Sequence, residues 1–148
     1  MRYIAVSWVF FSVFGVGSLF AQKGPCTEDS IRAEYNAGTR PARTDDYYLF
    51  NPLLERPAIG SEDLKKAQQT MATVSANRKN VKTDSKLDRV VVAPSGDMAY
   101  GFGENHFTYD EGESGTHVDR TTAFLTIWRA DAGTCKLAAS MIQREGQR

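Results

Sequence analysis

The sequence predicts an α+β domain, helices first and an antiparallel sheet after them, behind an apolar leader. Three observations carry this. Helical spacing of apolar residues is confined to the stretch before residue 77. Runs of β-branched and aromatic residues, divided by turn residues, fill the stretch after residue 86. The first 21 residues carry one charge, Arg2, in a dense apolar block, so averages over the 148-residue chain mislead. Segregated helices and strands are the pattern of a sheet with helices covering one face.

Arg2 is followed by 20 uncharged residues, Tyr3 to Gln22, with an apolar centre from Ile4 to Phe14 and the small residues Gly15, Gly17 and Ser18 before Ala21. This reads as a signal peptide over residues 1–21, cleaved after Ala21. An uncleaved anchor is the rival, since a stretch of this length just spans a bilayer core of ~30 Å. The glycines and serines of its second half weaken that helix. A lipid anchor is not expected, because Cys26 follows Lys23-Gly24-Pro25 where a lipoprotein signal wants apolar and small residues. The mature domain, residues 22–148, is therefore expected to be secreted or periplasmic, without a membrane partner once the leader is gone. Losing Arg2 leaves 17 Lys and Arg against 18 Asp and Glu, which gives no electrostatic footprint for nucleic acid or anionic lipid.

Within the domain, Thr27 precedes Glu28 and Asp29, acids suited to a helix start, and Ile31 and Tyr35 follow at i, i+4 before Gly38. Thr44 stands before Asp45 and Asp46 in the same way, and the run Tyr47-Tyr48-Leu49-Phe50 ends at Asn51-Pro52, predicting a second, brief helix. Gly60-Ser61 opens a third, amphipathic helix through Leu64, Ala67, Met71, Ala72 and Val74. Residues 77–86, with Arg78, Lys79, Lys82 and Lys86, read as an exposed connection. Leu87 to Ala93, the turn Pro94-Ser95-Gly96-Asp97, and Met98 to Tyr109 predict a hairpin. Thr116 to Arg129, the turn Asp131-Ala132-Gly133-Thr134, and Cys135 to Gln143 predict another, leaving Arg144 to Arg148 as a frayed tail.

The two cysteines, Cys26 and Cys135, allow one intramolecular pairing in a compartment that permits oxidation. A bridge would close a loop of about 110 residues and stabilise by up to ~4 to 5 kcal/mol on the chain-entropy model. The alternative is two separate thiols, because spacing alone does not bring the Cα atoms within bridging distance.

Four stretches resemble the DUF4440 branch of the SnoaL-like, NTF2-like superfamily. Val91 to Tyr100 is similar to the family's strand, turn and strand around Ser-Gly-Asp-x-Ala, and Phe124-Leu125-Thr126-Ile127-Trp128-Arg129 to its aromatic-x-Thr-Val-Trp-Arg strand. Gly133 to Leu137 resembles its turn into the last strand, and Tyr35 to Thr39 the end of its first helix. The resemblance implies a cone-shaped barrel, a curved sheet wrapping helices around a pocket, and often a homodimer formed through the sheet. Two positions depart from the pattern. Cys135 stands where the family usually has Trp, and Ser140 where many relatives place Asp or His facing the pocket. The Tyr and Asp oxyanion pair of the related ketosteroid isomerases does not map onto this chain, so that reaction is not carried over.

Strand alternation puts Tyr100, Phe102, Glu104, His106 and Thr108 on one face of the second strand, and Val118, Arg120, Thr122, Phe124, Thr126 and Trp128 on one face of the third. If these two faces line the cone together, the aromatics form its floor and Glu104, His106 and Arg120 stand at its mouth. His106 would then be a general base, with Glu104 or Asp119 orienting it; solvated charges at a hairpin end are the plain alternative. His106 and His117 with Glu104, Asp110, Glu113 and Asp119 lack the tight ligand spacing of a metal site. Gly101 and Gly103 read as close packing in a curved sheet rather than a phosphate loop, so no cofactor is implied. The leading expectation is an exported domain that binds a small, largely apolar molecule through Tyr48, Phe102, Arg120, Trp128 and Ser140, with catalysis undecided. Two alternatives stand beside it: a non-catalytic dimerisation or protein-binding module, and an isomerase- or hydrolase-like enzyme using proton transfer by His106 and Glu104.

Overall fold

A computed structural model describes residues 24–38 and 41–143. The leader expected over residues 1–21 and the tail after Gln143 lie outside the described residues. The first helix, α1 (Glu28–Asn36), starts at a reciprocal cap: Thr27 Oγ1 accepts from the Ser30 amide at 3.1 Å, and Ser30 Oγ accepts from the Thr27 amide at 3.2 Å. The other helix, α2 (Gly60–Ser75), turns Leu64 and Ala67 inward. Both agree with the spacing read from the sequence.

The stretch expected to be a second helix is a strand, β1 (Arg43–Phe50). Its Tyr47 and Leu49 are buried while Tyr48 and Phe50 are exposed, an alternation no helix produces. Aromatic residues favour a half-buried pleated surface, and here that preference prevails over the resemblance of Thr44-Asp45-Asp46 to a helix start. Strand β2 (Ala58–Ile59) pairs antiparallel with β1 and was not anticipated.

The polar stretch expected to be a connection belongs to a long strand, β3 (Arg78–Val92). It is an edge strand, so its exposed lysines and Asp84 meet water without breaking the ladder, and such charges keep an edge from pairing with another chain. Strands β4 (Met98–Glu111), β5 (His117–Asp131) and β6 (Thr134–Gln143) follow as expected. The sheet therefore has six strands rather than four, in the order β2-β1-β6-β5-β4-β3. It is mixed, because β1 runs parallel to β6 with Leu49 opposite Ser140 and Phe50 opposite Met141.

Both helices lie on one face, α1 by β3 at one edge and α2 by β1 and β2 at the other. Between sheet and helices sit Ile31, Tyr47, Leu49, Leu64, Ala67, Ala99, Phe124, Trp128 and Leu137. Gly101 and Gly103 are part of this packing. A Cβ on Gly101 would lie 3.1 Å from a ring carbon of Trp128, and one on Gly103 2.8 Å from Phe124 Cζ and against the Lys86 carbonyl, so the bare backbone of β4 lets both rings approach it closely. The segment before α1 crosses the β3–β4 turn, where the Gly24 and Cys26 amides donate to the Ser95 and Gly96 carbonyls at 2.7 and 2.9 Å. A disulfide joins Cys26 to Cys135 at the start of β6, with Cα atoms 4.9 Å apart.

Candidate functional site

Register decides which side chains can share a cavity. In an antiparallel pair directly opposed residues point to the same face. Along β4 and β5, Gly101 opposes Thr126, Gly103 opposes Phe124, and Phe107 opposes Arg120, so these point toward the helices. Phe102 opposes Leu125, Glu104 opposes Ala123, and His106 opposes Thr121, on the outer face. The expectation that the Tyr100-to-Thr108 set and the Val118-to-Trp128 set line one hollow is thus corrected, because the pairing offsets them by one residue and a one-residue offset exchanges faces. Phe102, Glu104 and His106 are exposed on the outer side, and so is Tyr48, which stacks on Phe50 at 6.3 Å. His106 Nε2 does meet Asp119 Oδ1 at 2.7 Å, but in solvent.

The inner face leaves two adjoining cavities between the helices. The larger, about 540 Å³, lies under the end of α1 and is floored by Phe124, Trp128, Leu137 and Ile142, with Thr126 and Ser140 beside them. Tyr35 stacks on Phe124 with ring centroids 5.8 Å apart, and Ser85 Oγ donates to Asn105 Oδ1 at 2.7 Å to form the polar wall. Burial pushes the Tyr35 hydroxyl above its ordinary value, with Ser85 opposing part of the rise and the Asp84 charge adding to it. Trp128 is 1% exposed, and its indole N–H has no partner among the described residues. Among the described residues, no Asp, Glu, His, Lys or Arg lines this cavity.

The smaller cavity, about 320 Å³, lies under α2. Pro52, Leu53, Met71, Phe107 and Tyr109 make it apolar, Ile142 is shared with the larger one, and Arg78 and Arg120 are the charged groups among its described lining residues. Of the ligand-binding set read from the sequence, Trp128 and Ser140 therefore line the first cavity and Arg120 the second. Tyr35, Arg78, Ser85, Asn105 and Phe107 were missed. The signal for Asn105 and Phe107 lay in Gly101 and Gly103: glycines that admit core rings mark the inner face of β4, and the residues two and four further along must follow it.

Chemically, the hollow offers apolar surface, neutral donors and two guanidinium groups. Among its described lining residues there is no carboxylate or imidazole to take a proton. Among the described residues no group of three or more His, Cys, Asp or Glu could hold a metal ion.

No protein-family model matches the sequence, and no curated protein matches it either. Solved structures do. A ketosteroid isomerase-like protein from Erwinia carotovora atroseptica is similar over 72% of this chain and 78% of its own, at 21% identity and a TM-score of 0.54. An NTF2-like protein with a cystatin-like fold from Novosphingobium aromaticivorans matches over 72% and 66%, at 16% identity and a TM-score of 0.53. The association domain of C. elegans CaMKII matches over 78% and 92%, at 16% identity and a TM-score of 0.54. At these identities the likeness is one of fold: the chain has the NTF2-like architecture.

Proposed function

We propose that this chain is an exported, DUF4440- and SnoaL-like member of that architecture which binds a small, largely apolar molecule in the hollow between its sheet and its helices. The observation that carries the reading is the larger cavity, about 540 Å³, whose floor of Phe124, Trp128, Leu137 and Ile142 is apolar. A concave apolar floor with a few neutral polar groups beside it is the ordinary form of a small-molecule site. Binding rather than proton transfer is favoured because the titratable pair first suspected, His106 and Glu104, faces away from the cavity. Export rests on the leader and is supported by the Cys26–Cys135 disulfide, which suits an oxidising compartment.

After leader removal Trp128 is the only tryptophan, so its emission reports on the cavity directly. Titration with a panel of neutral apolar probes, such as indole, 2-naphthol and camphor, is expected to give a saturable emission change and a rise in Tm for some members. Absence of both across the panel overturns the reading.

A second reading has its own observation. Pairing places Tyr48, Ala139, Ile127, Tyr100 and Val91 in one row across the outer face, with Phe50, Met141, Leu125 and Phe102 in the next. Tyr100 and Phe102 are 46% and 42% exposed there. A two-row apolar strip of this kind fits a second sheet, and a self-complementary face gives a two-fold dimer. Sedimentation should show a dimer that Tyr100→Lys dissociates; a monomer at every concentration removes this reading and leaves the first intact.

A further inference from the structure

Arg78 and Arg120 are the charged residues among the described lining of the cavity under α2. Arg32, Arg56 and Arg129 each meet a carboxylate at 2.7 to 3.1 Å. Arg43, Arg78, Arg89 and Arg120 meet none within 4.0 Å among the described residues, and of these Arg78 and Arg120 line the cavity under α2. The Arg78 guanidinium lies over the Tyr109 ring, its carbon 4.3 Å from the centroid. That stacking fixes the plane of the group and leaves its N–H edges free to donate. Thr122, two residues from Arg120 on the same face of β5, is 7% exposed, and its hydroxyl has no partner among the described residues. Two cations without carboxylate partners among the described residues therefore border one apolar cavity, Arg78 half-buried and Arg120 exposed.

We propose that the ligand of the hollow is an apolar monocarboxylic acid, whose carboxylate is held by Arg78 and Arg120 and whose hydrocarbon body runs over Ile142 toward Phe124. This deepens the binding reading and rests on it. A guanidinium matches a carboxylate through paired charge-assisted N–H donors, a neutral amide lacks the charge, and a phosphate, which fits the same fork, brings further charge that costs more to desolvate in a cavity this apolar. Ile142 lines both cavities, so a body longer than the smaller one continues into the larger.

The test compares octanoate with octanamide by calorimetry on the full mature chain at low salt. Octanoate should bind at least about tenfold more tightly, a ratio in keeping with one charge-assisted contact. Arg120→Gln and Arg78→Gln should each erase most of that preference. Arg120→Lys should retain only part of it, because the charge stays and the fork is lost. Arg89→Gln, on the outer face opposite Phe102, should change nothing. Equal affinity for octanoate and octanamide, or octanoate binding unaltered in both Gln variants, overturns the carboxylate proposal. The neutral panel separates the two readings: probes that still bind to the Gln variants show that those chains fold and that the hollow stands. If no acid, amide or neutral probe binds, both readings fall together.

Discussion

The hydroxyl of Tyr35 shows how much one residue contributes to the larger cavity. It sits where α1 ends, over Phe124 and beside the Ser85–Asn105 pair, and burial holds its pKa above the ordinary value. The sign of the consequence follows from linkage. The unfolded chain loses the Tyr35 proton first, near pH 10, so the stability this group contributes is complete below that pH. It is lost as pH rises toward the higher folded value. Tyr35→Phe should therefore flatten the alkaline limb of a stability–pH curve while leaving the neutral region nearly unchanged. Identical alkaline limbs for both proteins would show that the group titrates as if it were in water. Trp128 was legible as a cavity residue because it occupies an inner position of the strongly patterned β5, and Ser140 only through the family resemblance, since β6 alternates weakly. Arg78 was not, since a lone arginine at the head of a lysine-rich stretch carries no sign of the Tyr109 ring it will stack on.

At the scale of elements, legibility tracked how many faces of an element the core uses. Helix α2 buries one face against a polar other, and strand β5 buries Thr122, Phe124, Thr126 and Trp128 at alternate positions, so their periods of 3.6 and 2 stand out in the sequence. Strand β1 has apolar residues on both faces, Tyr47 and Leu49 inward and Tyr48 and Phe50 outward, so its alternation is hidden and its acidic start reads as a helix. The first half of β3 buries neither face, and an edge strand exposed on both sides looks like a loop. The same reasoning explains the exchange of faces on β4. Its outer residues Tyr100 and Phe102 are larger than the inner Ala99, Gly101 and Gly103. Size would assign the aromatics to the interior, but the interior of β4 is already filled by Phe124 and Trp128 from the neighbouring strand.

Over the whole molecule, the disulfide ties the segment that leads into α1 to the hairpin between β5 and β6, across a sequence separation of 109. Closing so long a loop restricts the unfolded chain, and removing such a bridge from a small domain costs about 2 to 5 kcal/mol. Replacing both cysteines, Cys26→Ser with Cys135→Ser, should lower the urea midpoint accordingly, and reduction of the native protein should do the same. An unchanged midpoint would mean that the Gly24 and Cys26 backbone hydrogen bonds to the β3–β4 turn hold this segment without help. The two cavities should respond differently. Tyr35 on α1 lines only the larger one, whereas the cavity with Arg78 and Arg120 is walled by α2 and the sheet. Loss of the bridge should therefore weaken neutral probes seated over Trp128 more than it weakens an anionic head group held by the arginines. An equal loss for both would show that the hollow responds as one unit and that α1 does not act on one end alone.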